Sequence, residues 1–281
     1  MKSIAVIGTG IMGHGIATNF LAKGYNVFVW NRSAVKVGDL VAKGAVNCAS
    51  PSEATLNADI IFEVTANDES SREVWCGKKG ILAVAKSSQF LITCATLSLS
   101  WTEELVTLCS QRKIVFFDMP MTGSRFGAES GQLTLLVGGN EKKLEIIRTD
   151  LKAIAADVLY FGKTGNGMKY KLILNTLQAI HLAGFGETMR MAEELNLDVT
   201  KVGNALAEKP GGVVTKMAWR DYQVEPVKVN FSVELITKDL KYMQQANERA
   251  SPLLDAALKV YQGAVKKGYG KNDWTKINKV E

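Results

Sequence analysis

Glycines at 8, 10 and 13 set up the pattern GxGxxG in Gly8-Thr9-Gly10-Ile11-Met12-Gly13. Phosphate binding is the chemistry that this spacing serves. The first Gly permits a tight turn, the second lets backbone approach a pyrophosphate, and the third permits close helix–strand packing. A second cluster is Gly165-Asn166-Gly167-Met168-Lys169-Tyr170-Lys171-Leu172-Ile173-Leu174-Asn175. On a helix, Lys171 and Asn175 stand four apart and share a face, with Gln178 near the next turn. An ammonium among apolar neighbours loses hydration, so its pKa falls toward values useful for moving protons. Asn175 both donates and accepts, so it can orient the amine or a substrate hydroxyl. Spacing alone leaves a solvated surface lysine at 171 equally open. Lys169, about 200° away around the helix, is one such alternative.

These groups need a scaffold, and the hydrophobic pattern supplies one. Short apolar runs at 3–7, 26–30, 59–64, 90–93 and 114–117 alternate with amphipathic stretches at 11–22, 34–42 and 102–111. Fully apolar strands alternating with helices predict a parallel sheet covered on both faces. A strand at 132–137, a helix at 141–155 and a strand at 157–160 follow. After residue 162 the strand pattern stops. A long helical pattern runs from about 165 to 196, then others at 200–208, 212–219, 233–250 and 253–267. The expected fold is α/β: a Rossmann-type, doubly wound domain over 1–162, then an all-helical domain over 163–281. The long helix joins the two. The polar tail from Gly268 has Trp274 as its large apolar anchor.

The glycine pattern therefore follows a strand and opens a helix, the context that makes it a dinucleotide fingerprint. Unpaired N–H groups at that helix start would face the anion. The second strand ends in Trp30-Asn31-Arg32-Ser33, with no acid before Asp39. A carboxylate here would accept ribose hydroxyls and repel a 2′-phosphate. Arg32 can instead fork onto that phosphate, with Asn31 and Ser33 adding hydrogen bonds. The coenzyme expected is NADP(H).

Composition bounds the other readings. An apolar share of 47%, a charged share of 22% and 5 Pro describe an ordinary globular chain. The net charge of +6 is carried mostly after residue 162, and the paired lysines at 78–79 and 266–267 are too short for a nucleic-acid site. Mild attraction for an anionic substrate is the functional side of that charge. Cys48, Cys76, Cys94 and Cys109 have no metal spacing, so reduced thiols and no metal are expected. Glycines interrupt the apolar N-terminus, so a signal peptide is not expected. No stretch has the roughly 18 apolar residues of a membrane helix. The chain reads as cytoplasmic, with no membrane or nucleic-acid partner. His14 reads as packing at the helix start, and His181 as structural.

Four blocks resemble the β-hydroxyacid dehydrogenase family, which includes 3-hydroxyisobutyrate dehydrogenases and glyoxylate/succinic semialdehyde reductases. The likeness spans essentially the whole chain. The first block is the glycine loop, where Gly8, Gly10, Ile11, Met12 and Gly13 would hold the coenzyme. The second is Asp118-Met119-Pro120-Met121-Thr122-Gly123-Ser124, continuing through Ala128-Glu129-Ser130-Gly131-Gln132-Leu133. The resemblance gives the substrate carboxylate to Thr122, Gly123 and Ser124, with Thr in place of the usual Ser. Arg125 could add charge there or face solvent. The third block makes Lys171 the proton donor or acceptor and Asn175 a positioning group. The fourth runs from Phe231 through Leu235 to Lys238-Asp239-Leu240. In it Lys238 would reach the coenzyme and Phe231 would wall the cleft between the domains, with Asp239 as an orienting or structural partner. Near the nicotinamide ribose, Ala95-Thr96-Leu97-Ser98-Leu99 keeps the family's Thr as Thr96 but lacks its Ser and Pro. The adenine-side loop, usually of Leu-Pro-Asn type, reads Val64-Thr65-Ala66-Asn67.

The resemblance implies reversible hydride transfer between NADP(H) and a small aldehyde acid or hydroxy acid. Succinic semialdehyde, glyoxylate and methylmalonate semialdehyde are compatible, with a tilt toward the semialdehyde reductases. A homodimer or homotetramer is implied too. The similar 6-phosphogluconate dehydrogenases are much longer. Two alternatives remain at this stage. Imine reductases share the architecture but usually carry Asp or Tyr at the lysine position. A catalytically silent NADP-binding scaffold would have replaced the lysine.

Overall fold

In the computed structural model, which describes residues 2–208, 212–247 and 250–280, the first strand, β1 (Ser3–Ile7), runs straight into the glycine loop and α1 (Ile11–Ala22). The chain continues through β2 (Asn26–Trp30), α2 (Gly38–Ala42), β3 (Val46–Asn47), α3 (Pro51–Leu56), β4 (Ile60–Glu63) and α4 (Asp68–Cys76). Next come β5 (Phe90–Thr93), α5 (Leu99–Gln111) and β6 (Val115–Asp118). These strands make one parallel sheet in the order β3-β2-β1-β4-β5-β6. The order reverses between β1 and β4, where doubly wound folds bind dinucleotides beyond the carboxyl ends of the strands. Successive residues of β1 feed opposite cores. Ile4 and Val6 pack with Ile16, Phe20 and Phe62, while Ala5 and Ile7 pack with Leu91, Trp75 and Trp101. That two-sided burial is why the strands read as unbroken apolar runs.

Then follow β7 (Met121–Thr122), α6 (Ser124–Ser130), β8 (Leu133–Val137), α7 (Glu141–Leu151) and β9 (Ala155–Tyr160). The later strands do not extend the parallel sheet. They form a separate three-stranded sheet, β7-β8-β9, with β7 antiparallel to β8 and β9 parallel to it. The two-residue β7 and the short helices α3, α4 and α6 carry too little periodicity to be read from sequence.

The remaining elements are α8 (Asn166–Glu194), α9 (Val199–Glu208), α10 (Gly212–Gln223), α11 (Val233–Ala246) and α12 (Pro252–Ala264). The helix expected over 233–250 ends at Ala246, and 248 and 249 lie outside the described residues. The chain forms two compact units, Met1–Lys171 and Leu172–Glu281, so the division falls inside α8. In the second unit Leu182, Phe185 and Met189 pack with Trp219, Ile236, Leu240, Leu258 and Tyr261. Trp274 and Ile277 close this core, so the polar tail is anchored by both. Among the described residues, no helix is long and apolar enough to cross a membrane, and no cluster of His, Cys, Asp or Glu could hold a metal ion.

Candidate active site

The glycine loop divides its three positions as the turn demands. Gly8 has φ +98°, and a Cβ there would meet the carbonyl oxygen of Val64. A Cβ on Gly13 would meet the carbonyl oxygen of Gly8, since α1 begins against its own approach loop. Gly10 is exposed, with nothing within 4 Å of where its Cβ would be. The tight turn and the tight packing are thus satisfied internally, and the one open glycine faces the space a pyrophosphate needs. Gly10 is also the N-cap of α1, with no side-chain cap and no acid in the first turn. Those uncapped N–H groups fit an anion. Ile11 is exposed and Met12 half-buried beside them. A Gly13→Ala variant should lose at least tenfold in affinity for the reduced nicotinamide dinucleotide by fluorescence titration. The obstacle is backbone, and overpacking of this kind costs about 1–3 kcal/mol.

At the end of β2 the Asn31 amide braces its own loop. Its Oδ1 accepts the N–H of Thr9 at 3.0 Å, and its Nδ2 donates to the carbonyl of Ser33 at 3.0 Å. Arg32 and Ser33 are exposed, and Arg32 makes no ion pair among the described residues. The nearest following acid, Asp39, is turned to α1. Its Oδ2 lies 2.5 Å from His14 Nε2 and 3.5 Å from Lys43 Nζ. The hydrogen bond with His14 is the main reason its carboxyl is held below the usual carboxylate range. His14 thus does more than pack at the helix start.

The first compact unit also carries the candidate substrate loop. Thr122 ends β7, Gly123 has φ +123°, and Ser124 opens α6 with φ +56°, a left-handed conformation uncommon for a residue with a side chain. Both Gly123 and Ser124 are exposed. Helix α6 is locked to α1: a Cβ on Gly15 would stand 2.5 Å from the carbonyl of Ala128, and Asn19 Nδ2 donates to that carbonyl at 2.8 Å. Arg125 pairs with Glu129 at 3.5 Å along its own helix. Thr96 is half-buried in the loop after β5.

Lys171 lies one turn into α8 and is 9% exposed. What fixes the start of that helix is a residue for which spacing suggests no role, Asp118, at the carboxyl end of β6. Its Oδ1 accepts the N–H of Gly165 at 2.6 Å and its Oδ2 that of Met168 at 2.7 Å. Burial pushes this carboxyl up to about 7, against the opposing pull of those backbone bonds. Gly167 is required by the same junction, where a Cβ would stand 2.9 Å from both the carbonyl of Asp118 and the amide of Gly138. A second buried acid was missed as well. Glu63 ends β4 and accepts from the amide and hydroxyl of Thr65 and from the hydroxyl of Thr93 at 2.5 Å. Desolvation raises its pKa. The available signal for both was a lone acid terminating an apolar strand run.

In the second unit Asn175 is 2% exposed and donates through Nδ2 to Asp239 Oδ2 at 2.6 Å. Asp239 Oδ1 lies 2.9 Å from Lys238 Nζ, which stands 5.1 Å from the ring centre of Tyr242. Asn175, Lys238 and Asp239 are therefore one linked group, with the carboxylate orienting the amide. Phe231 is half-buried at the entry to α11, its ring 5.6 Å from that of Trp274. His181 is exposed.

Residues 3–162 match the family described as the NAD binding domain of 6-phosphogluconate dehydrogenase. Residues 165–280 match the family described as NAD-binding of NADP-dependent 3-hydroxyisobutyrate dehydrogenase. A probable mitochondrial 3-hydroxyisobutyrate dehydrogenase of Dictyostelium discoideum is 27% identical, over 98% of this chain and 89% of that protein. Glyoxylate/succinic semialdehyde reductase 2 of Arabidopsis thaliana, a chloroplast protein, is 28% identical over 96% of this chain and 76% of that protein. The structure of Psf3 in complex with NADP+ and 2-OPP superposes with a TM-score of 0.90, at 24% identity and over 98% and 99% of the two chains, which shows a shared fold. With two family matches spanning nearly all of its length and a nicotinamide-dinucleotide cradle at its N-terminus, the chain belongs to the β-hydroxyacid dehydrogenase family of NAD(P)-dependent oxidoreductases.

Proposed function

We propose that this protein is an NADP(H)-dependent reductase of a small aldehyde acid, of the succinic semialdehyde or glyoxylate class, working reversibly on the corresponding hydroxy acid. The observation that carries the coenzyme choice is the end of β2, where Arg32 is exposed and makes no ion pair among the described residues and the nearest following acid is engaged by His14 and Lys43. The substrate class is supported by the resemblance of the 118–133 segment and by the name of the Arabidopsis relative.

A bound nicotinamide supplies the hydride. The chain's own residues do the rest. The Lys171 ammonium polarises the carbonyl oxygen and gives it a proton as the alkoxide develops; in the reverse direction the neutral amine takes that proton back. Asn175, held by Asp239, orients the reacting hydroxyl. The Thr122 hydroxyl and the amides of Gly123 and Ser124 hold the substrate carboxylate. Gly8, Gly10, Ile11, Met12 and Gly13 form the pyrophosphate cradle, with Thr96 and Lys238 as further coenzyme contacts and Phe231 as an apolar wall of the substrate site.

The test is a panel of aldehyde acids and imines with NADPH and NADH, followed by absorbance loss. Succinic semialdehyde or glyoxylate should be reduced, and NADPH should be used better than NADH. Arg32→Ala should raise the KM for NADPH at least tenfold, the loss of one charge-assisted fork, while leaving NADH nearly unaffected. A wild-type preference for NADH would overturn the coenzyme reading, and reduction of imines alone would overturn the substrate reading.

A further inference from the structure

The glycine loop contains one residue that the cradle does not explain. Thr9 lies between Gly8 and Gly10 yet is 3% exposed, so its side chain turns away from the open face. Its N–H and its hydroxyl are both spent on the loop that follows β2. Its N–H donates to Asn31 Oδ1 at 3.0 Å, and its hydroxyl donates to the carbonyl of Lys36 at 3.2 Å. Within that loop, Asn31 Nδ2 and the N–H of Lys36 both donate to the carbonyl of Ser33, at 3.0 and 3.1 Å. Upstream, the N–H of Gly8 donates to the carbonyl of Trp30 at 2.8 Å. Thr9 therefore grips the segment at both ends, at 31 and at 36, and the residues between them include Arg32. The far side is held by Val37, 2% exposed in the core under the sheet.

We infer that Thr9 and Asn31 are positioning residues for coenzyme discrimination: together they clamp the Arg32 loop to the glycine loop in the shape that presents Arg32 to a 2′-phosphate. This rests on the NADP reading and deepens it. An arginine on a free loop has its backbone to order as well as its side chain when it binds, and that ordering weakens binding. A loop already tied at both ends has little left to order. NADH lacks the 2′-phosphate and so draws little from the clamp.

The experiment measures kcat and KM with NADPH and with NADH for the wild type, Thr9→Val, Thr9→Ser, Asn31→Ala, Arg32→Ala and the double variant Thr9→Val/Arg32→Ala. Val keeps the shape and branching of Thr and the N–H bond to Asn31, and loses only the hydroxyl. Thr9→Val should raise the KM for NADPH about 3- to 10-fold, as expected for one ordinary hydrogen bond, with kcat held within about twofold and a smaller change for NADH. Asn31→Ala should do so more strongly, and Thr9→Ser should restore the wild-type value. In the Arg32→Ala background, Thr9→Val should add nothing, because coupled residues fail to add. An equal KM rise for both coenzymes, or a full effect without Arg32, would reduce the clamp to general loop stability and overturn the inference. Either result leaves the NADP reading standing if the wild type still prefers NADPH. A wild-type preference for NADH removes both.

Discussion

Replacing Lys171 by Met should lower kcat for aldehyde-acid reduction by roughly a hundred- to ten-thousand-fold, the usual range for loss of a general acid, with NADPH affinity within about twofold of wild type. Met is a good helix former of similar length, so α8 and its packing survive the change. Lys171 is 9% exposed, so the loss reflects chemistry more than surface charge. Lys171→Arg separates two contributions. Arg keeps a positive charge to polarise the carbonyl but holds its proton too tightly to release it. It should recover part of the KM and little of the kcat. Stopped-flow hydride transfer with coenzyme binding measured separately checks both variants. If kcat stayed within tenfold of wild type, Lys171 would not be the proton donor.

The second large effect should come from Asp118→Asn. One of the two amides that Asp118 satisfies, at Gly165 or Met168, would then face an NH2 group instead of an oxygen. Leaving a buried donor without its acceptor costs about 1–3 kcal/mol. The cost also has a pH signature. Burial holds the folded carboxyl at about 7, above its ordinary value of 3.8. The folded chain therefore binds this proton more tightly than the unfolded one. That contribution to stability is fully present below about pH 4 and is lost as the pH rises through 7. The stability gap between wild type and Asp118→Asn in urea should be widest near pH 4–5 and narrower at pH 7.5. A gap that stays flat from pH 4 to 8 would show that Asp118 titrates normally. Because Asp118 fixes the first turn of α8, the variant should also lose kcat through misplacement of Lys171, a turn further on.

Much of the site was legible because it is local. The glycine loop needs only three residues in one turn, and Lys171 and Asn175 share a helix face by spacing alone. The strands of the first domain announce themselves because burial on both sides makes every residue apolar. The exception in each run is informative. Glu63 and Asp118 end strands β4 and β6 as lone acids, and the apolar pattern around them hides that each is fully buried and hydrogen-bonded. Strands β8 and β9 were legible as apolar runs, but their separate sheet was not, since the two-residue β7 has no period and the pairing is set by the chain's return after α7.

The sequence by itself determined the dinucleotide cradle, the parallel sheet that presents it, the absence of an acid before Asp39 after β2, and the family. Each depends on residues within a few positions of one another, where backbone geometry leaves few choices. Only the tertiary structure decided what the polar groups are doing. Asn31 braces Thr9 across 22 positions, Asp118 caps α8 across 47 and 50, and Asp239 holds Asn175 across 64. A buried donor or acceptor must find a partner. Which partner it finds is a property of the packed chain, because the spacing of residues in sequence does not limit which of them meet in the core.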